Sequence, residues 1–494
     1  MKKKIGAKVI AGVMACAMAA VALTACGGKT AGEFKMPSGG FDTDTPVTIK
    51  FYHTMGAELR KVLDGPNGND GYIAEFQKLY PNITVLHEQV GGYDDVRDQL
   101  KNEIVGGNQP NIAYCYPDHV ALYNRANTVQ SLDDFLPGGA YADTKITRKD
   151  GTEVSLGLTA EEKATFIEGY YNEGKQFGDG KMYTMPFTKS TEVLYYDKTF
   201  FDANNLEVPT TWDEMEAVCE RIKTEIDPAS TPLGYDSEAN WFITMCEQYA
   251  SGYTSSEDPK YIFDNDTNRA FVKKFKGWYD KGYVTTQEIY GKYTSYLFTS
   301  TTGTRCYMCI GSSAGATSQR PAMNDSGYPF KVDIAPIPQV DAKNPKVISQ
   351  GPSVCIFKKS NPQEVMASWL FVKYLTTNID FQAEFSGVSG YVPVLKEETM
   401  RKNAVFAQSL DTARQDNPAI KNDNTRIAAL SMLVCMEQEK AYYTSPAFVG
   451  SSTARDQVGE LIQTVFINKD NLAIDDLIDK AFKAAIEECE YFSG

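Results

Sequence analysis

Histidine is scarce in this chain: three residues in 494, His53, His87 and His119. None stands at metal-ligand spacing from another and no H-E-x-x-H occurs, which removes the usual histidine-built metal sites. Positive charge is also in deficit. The 49 lysines and arginines face 64 acids, a formal charge of −15. Nucleic acid is therefore excluded as a partner, and so is a generally anionic substrate, although a local basic pocket remains compatible. After the first 25 residues no apolar run approaches the ~20 residues that span a bilayer. Internal repeats are missing too. What is present is globular: 42% hydrophobic and 12% aromatic residues. Roughly 450 residues of this kind make two or three domains with a sizeable core.

Several motifs suggest chemistry and fail on inspection. "GSSAG" at 311–315 matches the G-x-S-x-G nucleophile elbow, but that fold needs its histidine after the serine, and all three precede Ser313. "DNDTN" at 264–268 starts like a calcium loop, yet Arg269 and Phe275 occupy the glycine and glutamate positions. It reads as a turn and helix cap. Eight cysteines follow Cys26, at 115, 219, 246, 306, 309, 355, 435 and 489. Cys306-x-x-Cys309 has no second pair at zinc spacing, and residues three apart on a strand diverge, so buried thiols are expected. A two-carboxylate glycosidase leaves no motif to test; acids are plentiful.

The amino terminus is better signed. "MKKKIGAK" holds four lysines and no acid, and "VIAGVMACAMAAVAL" runs fifteen residues without a charge. This is a basic region followed by an apolar stretch too short to span comfortably. Leu23-Thr24-Ala25-Cys26 closes it and resembles the bacterial lipobox, in which the cysteine thiol receives diacylglycerol and the peptide is cut before it. The expected organisation is a signal peptide over 1–25 and lipidation at Cys26, with a flexible Gly/Ser/Pro tether over 26–45. "GGKT" at 27–30 is read as part of that tether. Cleavage would leave 45 basic against 64 acidic residues, or −19.

Beyond the tether, strand and helix patterns alternate. "VTIKFYH", "ITVLHE" and "NIAYCYP" read as strands. The intervening helices are 58–63, 72–80 and one opened by Tyr93. That order implies parallel β-α-β units. Residues 137–180 are irregular, with a hairpin turning at Asp150-Gly151 and a helical "TAEEKATFIEGYY". "GKMYTMPF" and "EVLYYD" read as strands. Thr211 and Glu214 form a capping box for the next helix. "CYMCIG", "VDIAPIP" and "SVCIFK" are further strands, and Asn361-Pro362 starts a helix. The last third is mostly helical.

Taken in order, these fragments resemble the extracellular solute-binding proteins of ABC importers, carbohydrate type, in the branch that includes glycerol-3-phosphate and maltose binders. "TIKFYHTMG", "GGYDDVRDQLKNEIVGGNQPNIAY" and "GDGKMYTMPFTKSTEVLYYDKTFF" with "VPTTWDEM" carry the likeness. "FTSTTGTRCYMCIGSSAG", "VDIAPIP" and "SGVSGYVPV" extend it. The resemblance implies an α/β, two-lobed periplasmic-binding-protein-like fold with crossover hinges and a cleft ligand site. The expected lobes are 46–187 with 332–380, and 188–331 with 390–494, with crossovers near 186–192, 328–334 and 380–392. It implies no catalysis and no cofactor or metal, a carbohydrate ligand, an ABC permease as partner and a monomeric chain, exported and anchored to the outer face of the cytoplasmic membrane as a lipoprotein.

By resemblance to the glycerol-3-phosphate branch, the ligand-binding set is Tyr93, Ser190, Trp241, Ser312, Ser313, Gly351 and Tyr391. His53, Tyr116 and Asp118 join it because they follow strand ends. That branch grips phosphate with an arginine where this chain has Ala447 and Phe448. The nearest arginine, Arg455, stands about two helical turns on, so a neutral sugar or oligosaccharide is expected. Glycerol-3-phosphate or polyol binding, and a sensor or adhesin without a permease, are the alternatives; a surface glycosidase is the remote one.

Overall fold

The computed structural model describes residues 31–68, 70–415 and 424–493. The segment expected to be a signal peptide, and Cys26 after it, lie outside them. Two mixed five-stranded sheets organise the chain. In the first, Val47–His53 lies parallel to both Ile83–Gln89 and Ile112–Cys115. Ser353–Ile356 then runs antiparallel to Ile112–Cys115 and to the edge strand Thr184–Pro186. In the second, Glu192–Asp197 is antiparallel to Val332–Pro336 and to Met308–Ser312. The parallel strands Leu233–Tyr235 and Val284–Thr286 complete it. The first sheet is thus a β-α-β unit closed by Ser353–Ile356 and Thr184–Pro186 from later in the chain, and the second is built within the stretch 192–336.

Local signals place the helices as expected. The Thr211 hydroxyl accepts from Glu214 N, with Glu214 reaching back, to start Trp212–Arg221. Asn361 caps Pro362–Thr377, and Asn265 caps Asp266–Asp280 in the stretch that mimics a calcium loop. The eight cysteines from Cys115 to Cys489 are buried. "TAEEKATFIEGYY" is not one helix but two, Ala160–Ala164 and Glu168–Glu173. The break occurs because Ile167 N donates to Val394 O at 3.0 Å. Tertiary pairing there outcompetes the next helical turn.

Two boundaries differ from expectation. Val332–Pro336 pairs with Glu192–Asp197, so it belongs to the second sheet; the return crossover follows residue 336 rather than spanning 328–334. Within 390–494, Asn424–Glu437 packs on the second-sheet strands Val332–Pro336 and Glu192–Asp197 and on Ser313–Ser318, and Ser451–Ile467 and Ile474–Ser493 pack on the helix Glu238–Gln248 and on each other. The tether expected over 26–45 is docked from Glu33 onward. Phe34 and Phe41 are buried in the first core, Phe34 at 5.1 Å from the Phe135 ring and Phe41 at 6.2 Å from that of Tyr80. Two phenylalanines in a Gly/Ser/Pro-rich stretch are sufficient anchors, since each buries a large apolar area.

The crossovers are stitched side by side. Lys189 N donates to Val392 O at 2.9 Å and Val392 N returns a bond to Lys189 O at 2.6 Å. Ser190 and Gln350 exchange backbone bonds of 2.7 and 2.9 Å. The Lys189 ammonium is wholly buried against the Glu173 carboxylate and donates to Ser353 Oγ at 3.0 Å. Removing one partner of such a pair is costly because the other charge is left without water. Gly351 beside it has φ +97°, and a Cβ there would meet Ser190 N at 2.8 Å, so only glycine fits.

Candidate functional site

Between the lobes lies a cavity of about 510 Å³, within the range of small-ligand sites. Its first-lobe wall is made of tyrosines. Tyr93 opens the helix Tyr93–Gly106, whose start is fixed by the Asp95 carboxylate accepting from Gly92 N at 2.7 Å. Tyr116 sits where the strand Ile112–Cys115 turns into a helix with Pro117 in its first turn. The two rings are stacked, centroids 4.5 Å apart. Tyr391 comes from the third crossover and its hydroxyl lies 3.2 Å from that of Tyr93. It is positioned by Gly390, φ +90°, where a Cβ would collide with Ser313 O at 2.6 Å. Burial holds the Tyr93, Tyr116 and Tyr391 hydroxyls above their ordinary ionisation range. They remain neutral and available to donate or accept.

The second-lobe wall is polar. Ser312 ends the strand Met308–Ser312, and its hydroxyl accepts from Ala314 N. Glu192 is buried, accepting from Tyr235 OH at 2.6 Å and Asn240 Nδ2 at 3.0 Å. Burial pushes its carboxyl up to about 7, against those two hydrogen bonds and the charge of Arg455. Asn240 Nδ2 also donates to Gln350 Oε1 at 2.9 Å, and Arg455 Nη2 donates to Asn240 Oδ1. Asp236 accepts from Thr294 N and Thr294 Oγ1, both at 2.6 Å; burial raises its carboxyl despite them. The arrangement offers aromatic faces on one side and a network of short polar groups on the other. It has no activated nucleophile: Ser313 Oγ is buried and accepts from Thr191 N at 3.1 Å.

The structure brings together five of the expected residues around this cavity: Tyr93, Tyr116, Ser190, Ser312 and Tyr391. Asp118 faces an adjoining pocket of about 90 Å³ that shares Tyr116, Gln350 and Arg455 with the main cavity. Others are elsewhere. Trp241 is fully buried in the second core, stacked on Tyr235 at 4.8 Å and against Phe275 at 4.0 Å. On the helix Glu238–Gln248 it is the preceding residue, Asn240, that turns to the cleft. His53 is fully buried and hydrogen-bonded to His87 at 2.8 Å, because it follows Phe51 on the inward side of its strand. Ser313 and Gly351 shape the hinge backbone without lining the cavity.

Sequence reasoning missed Glu192, Asp236, Asn240, Gln350 and Tyr293. Glu192 left one signal, an acid opening an otherwise apolar strand. Arg455 was expected to lie too far along. It lines the cleft because the stretch before Ser451 is not helical, which puts Arg455 early in the helix Ser451–Ile467. Among the described residues no three of His, Cys, Asp or Glu converge as a metal-holding group, and no helix is long and apolar enough to cross a membrane.

Two α/β lobes, joined by stitched crossovers around a tyrosine-walled cleft, have the form of a two-lobed binding protein. Residues 71–408 match the family of bacterial extracellular solute-binding proteins, and this chain belongs to that family. Its members bind solutes and are exported; they are not enzymes. The multiple sugar-binding protein of Streptococcus mutans is 24% identical over 250 residues, 50% of this chain and 46% of that one. The maltotriose-binding protein of Pyrococcus abyssi is 24% identical over 334 residues, 65% of this chain and 62% of that one. The chain thus spans about half to three-fifths of these relatives' length. The crystal structure of UgpB from Mycobacterium tuberculosis in complex with glycerophosphocholine shares the fold. Its TM-score is 0.66 at 16% identity, covering 90% of this chain and 99% of that one.

Proposed function

We propose that this chain is the capturing subunit of an ABC importer. It takes a neutral sugar or oligosaccharide into the cleft, closes on it and presents it to a permease. The observation that supports this most is the pairing of stacked Tyr93 and Tyr116 rings with a wall of Glu192, Asn240, Gln350 and Ser312. Sugars need both an apolar face and dense hydrogen bonding. Charge supports the same choice. The cavity's charged side chains are Glu192, Asp236 and Arg455, and the arginine is already engaged by Asn240. A phosphate would meet an acidic surround. The sugar-binding names of the two relatives point the same way.

The ligand-contacting set under this reading is Tyr93, Tyr116, Ser190, Ser312 and Tyr391, joined by Glu192, Asn240, Gln350 and Arg455. Closure bridges the lobes, so ligand binding stabilises the closed form by its differential affinity. Lipidation at Cys26 would hold a monomeric chain beside its permease; Cys26→Ser should release it into the medium. Glycerol-3-phosphate is the second reading, favoured by Arg455 in the cleft. Thermal unfolding of the soluble form against sugars, polyols and glycerol-3-phosphate decides. A ligand at 100 times its Kd adds about 2.7 kcal/mol. A shift with one sugar class is expected, and a shift with the phosphate alone overturns the reading.

A further inference from the structure

The cleft does not end at its enclosed cavity. The segment Gln287–Phe298 carries three tyrosines, Tyr290, Tyr293 and Tyr296, at three-residue spacing, and all are exposed: 38%, 59% and 63%. Tyr293 and Ser295 line the cavity, and Tyr296 follows directly on them, so the row flanks the site. Large apolar side chains this exposed are unusual when they cluster beside a binding site.

The segment is fixed rather than loose. Thr294, between two of the rings, is buried, with its N–H and hydroxyl both held by Asp236 at 2.6 Å. Phe298 anchors the short helix Ser295–Phe298 in the first core, and Ser295 borders the cavity. Tyr293 and Tyr296 are thus displayed by a pinned backbone. A rigid ring of this kind binds a flat apolar face at little entropic cost. The neighbours are Gln287, Glu288, Lys292 and Ser295, and the Lys292 ammonium lies 5.8 Å from the Tyr296 ring. Isolated rings set among polar side chains suit sugar faces, which need an apolar platform and hydrogen-bonding partners beside it.

We propose that Tyr293 and Tyr296 form an outer carbohydrate subsite at the mouth of the cleft, and that the cargo is an oligosaccharide whose chain continues out of the cavity across them. This rests on the carbohydrate reading above. The inner units sit between the lobes; the outer units stack on Tyr296 in solvent. Selection among sugars of one linkage is then by length.

The test uses the soluble chain and length series of malto-, cello-, xylo- and manno-oligosaccharides, titrated by calorimetry. In the series that binds, affinity should rise from the shortest bound member to longer ones. Tyr296→Ala should lower affinity for the longer members roughly three- to tenfold, the range of one ring–ring contact, and leave the shortest unchanged. Tyr296→Phe should keep the increment. Tyr296 is too exposed for either change to threaten the fold. Equal affinity at all lengths, or an equal loss at all lengths in Tyr296→Ala, overturns the outer subsite while leaving the carbohydrate reading intact. No heat with any sugar in any series overturns both.

Discussion

Glu192 holds the most consequential ionisation in the cleft. Its carboxyl is raised from 4.5 to about 7 by burial. In the unfolded chain it ionises near its ordinary value, so the fold's advantage from this group is complete below pH 4.5. That advantage is lost as pH rises through about 7. The loss is on the order of 3 kcal/mol. Glu192→Gln cannot ionise, so its stability should not fall over that window. Urea midpoints of the two proteins between pH 4.5 and 7.5 should diverge in the variant's favour as pH rises; parallel curves would show that the carboxyl is not buried as described. Trp241 makes the complementary case. With its ring packed among Tyr235, Phe275 and Trp212, Trp241→Ala should cost about 3–5 kcal/mol of stability. A variant of normal stability that loses only ligand would return Trp241 to the cleft. The sequence distinguished these residues poorly. A tryptophan near a cleft suits a sugar site, and only the phase of its helix, set by Ser237 at the cap, turns Asn240 outward and Trp241 in. Tyr93 and Tyr391 came from the family resemblance and Tyr116 from its place at a strand end, a criterion that also took in the buried His53.

At the scale of elements, capping chemistry was legible and docking was not. Thr211 with Glu214 and Asn361 with Pro362 start helices through bonds within four residues. The break between Ala160–Ala164 and Glu168–Glu173 needs Val394, more than two hundred residues away. The same holds for the segment from Glu33 to Thr45. Its composition is that of a linker, yet Met36 N donates to Tyr141 OH at 3.2 Å and Lys358 Nζ pairs with Glu33 at 2.6 Å. Phe34 and Phe41 add the apolar part. A chain beginning at residue 46 should therefore be less stable than one beginning at residue 31. The deficit should be about 1.5–3 kcal/mol for each phenylalanine lost from the core. Chemical denaturation of the two truncations measures this. Indistinguishable midpoints would mean that the segment is tether along its whole length.

At the scale of the molecule, the two lobes touch across the open side of the cleft as well as at the hinge. Arg97 on the first-lobe helix Tyr93–Gly106 donates to Ser452 Oγ at 3.3 Å and stands 3.9 Å from the Asp456 carboxylate, both on the second lobe. If the lobes open about the crossovers as proposed, these contacts break while the stitched crossovers stay intact, and Arg97 favours closure. The bias is limited, since Arg97 also pairs with Asp94 and Asp98 on its own helix and keeps those partners when the cleft opens. A half-exposed ionic contact of this kind supplies about 0.5–1 kcal/mol. If the closed form is the one that retains ligand, apparent affinity scales with its population. Arg97→Ala should then weaken binding by roughly two- to fivefold, through faster release with little change in the association rate. Stopped-flow release of the sugar identified by the unfolding screen measures that rate, and small-angle scattering of the ligand-free variant should give a larger radius of gyration. Faster release without expansion would place Arg97 in direct contact with ligand. Expansion without faster release would separate closure from retention, and the hinge would then serve the permease encounter rather than the grip on the cargo.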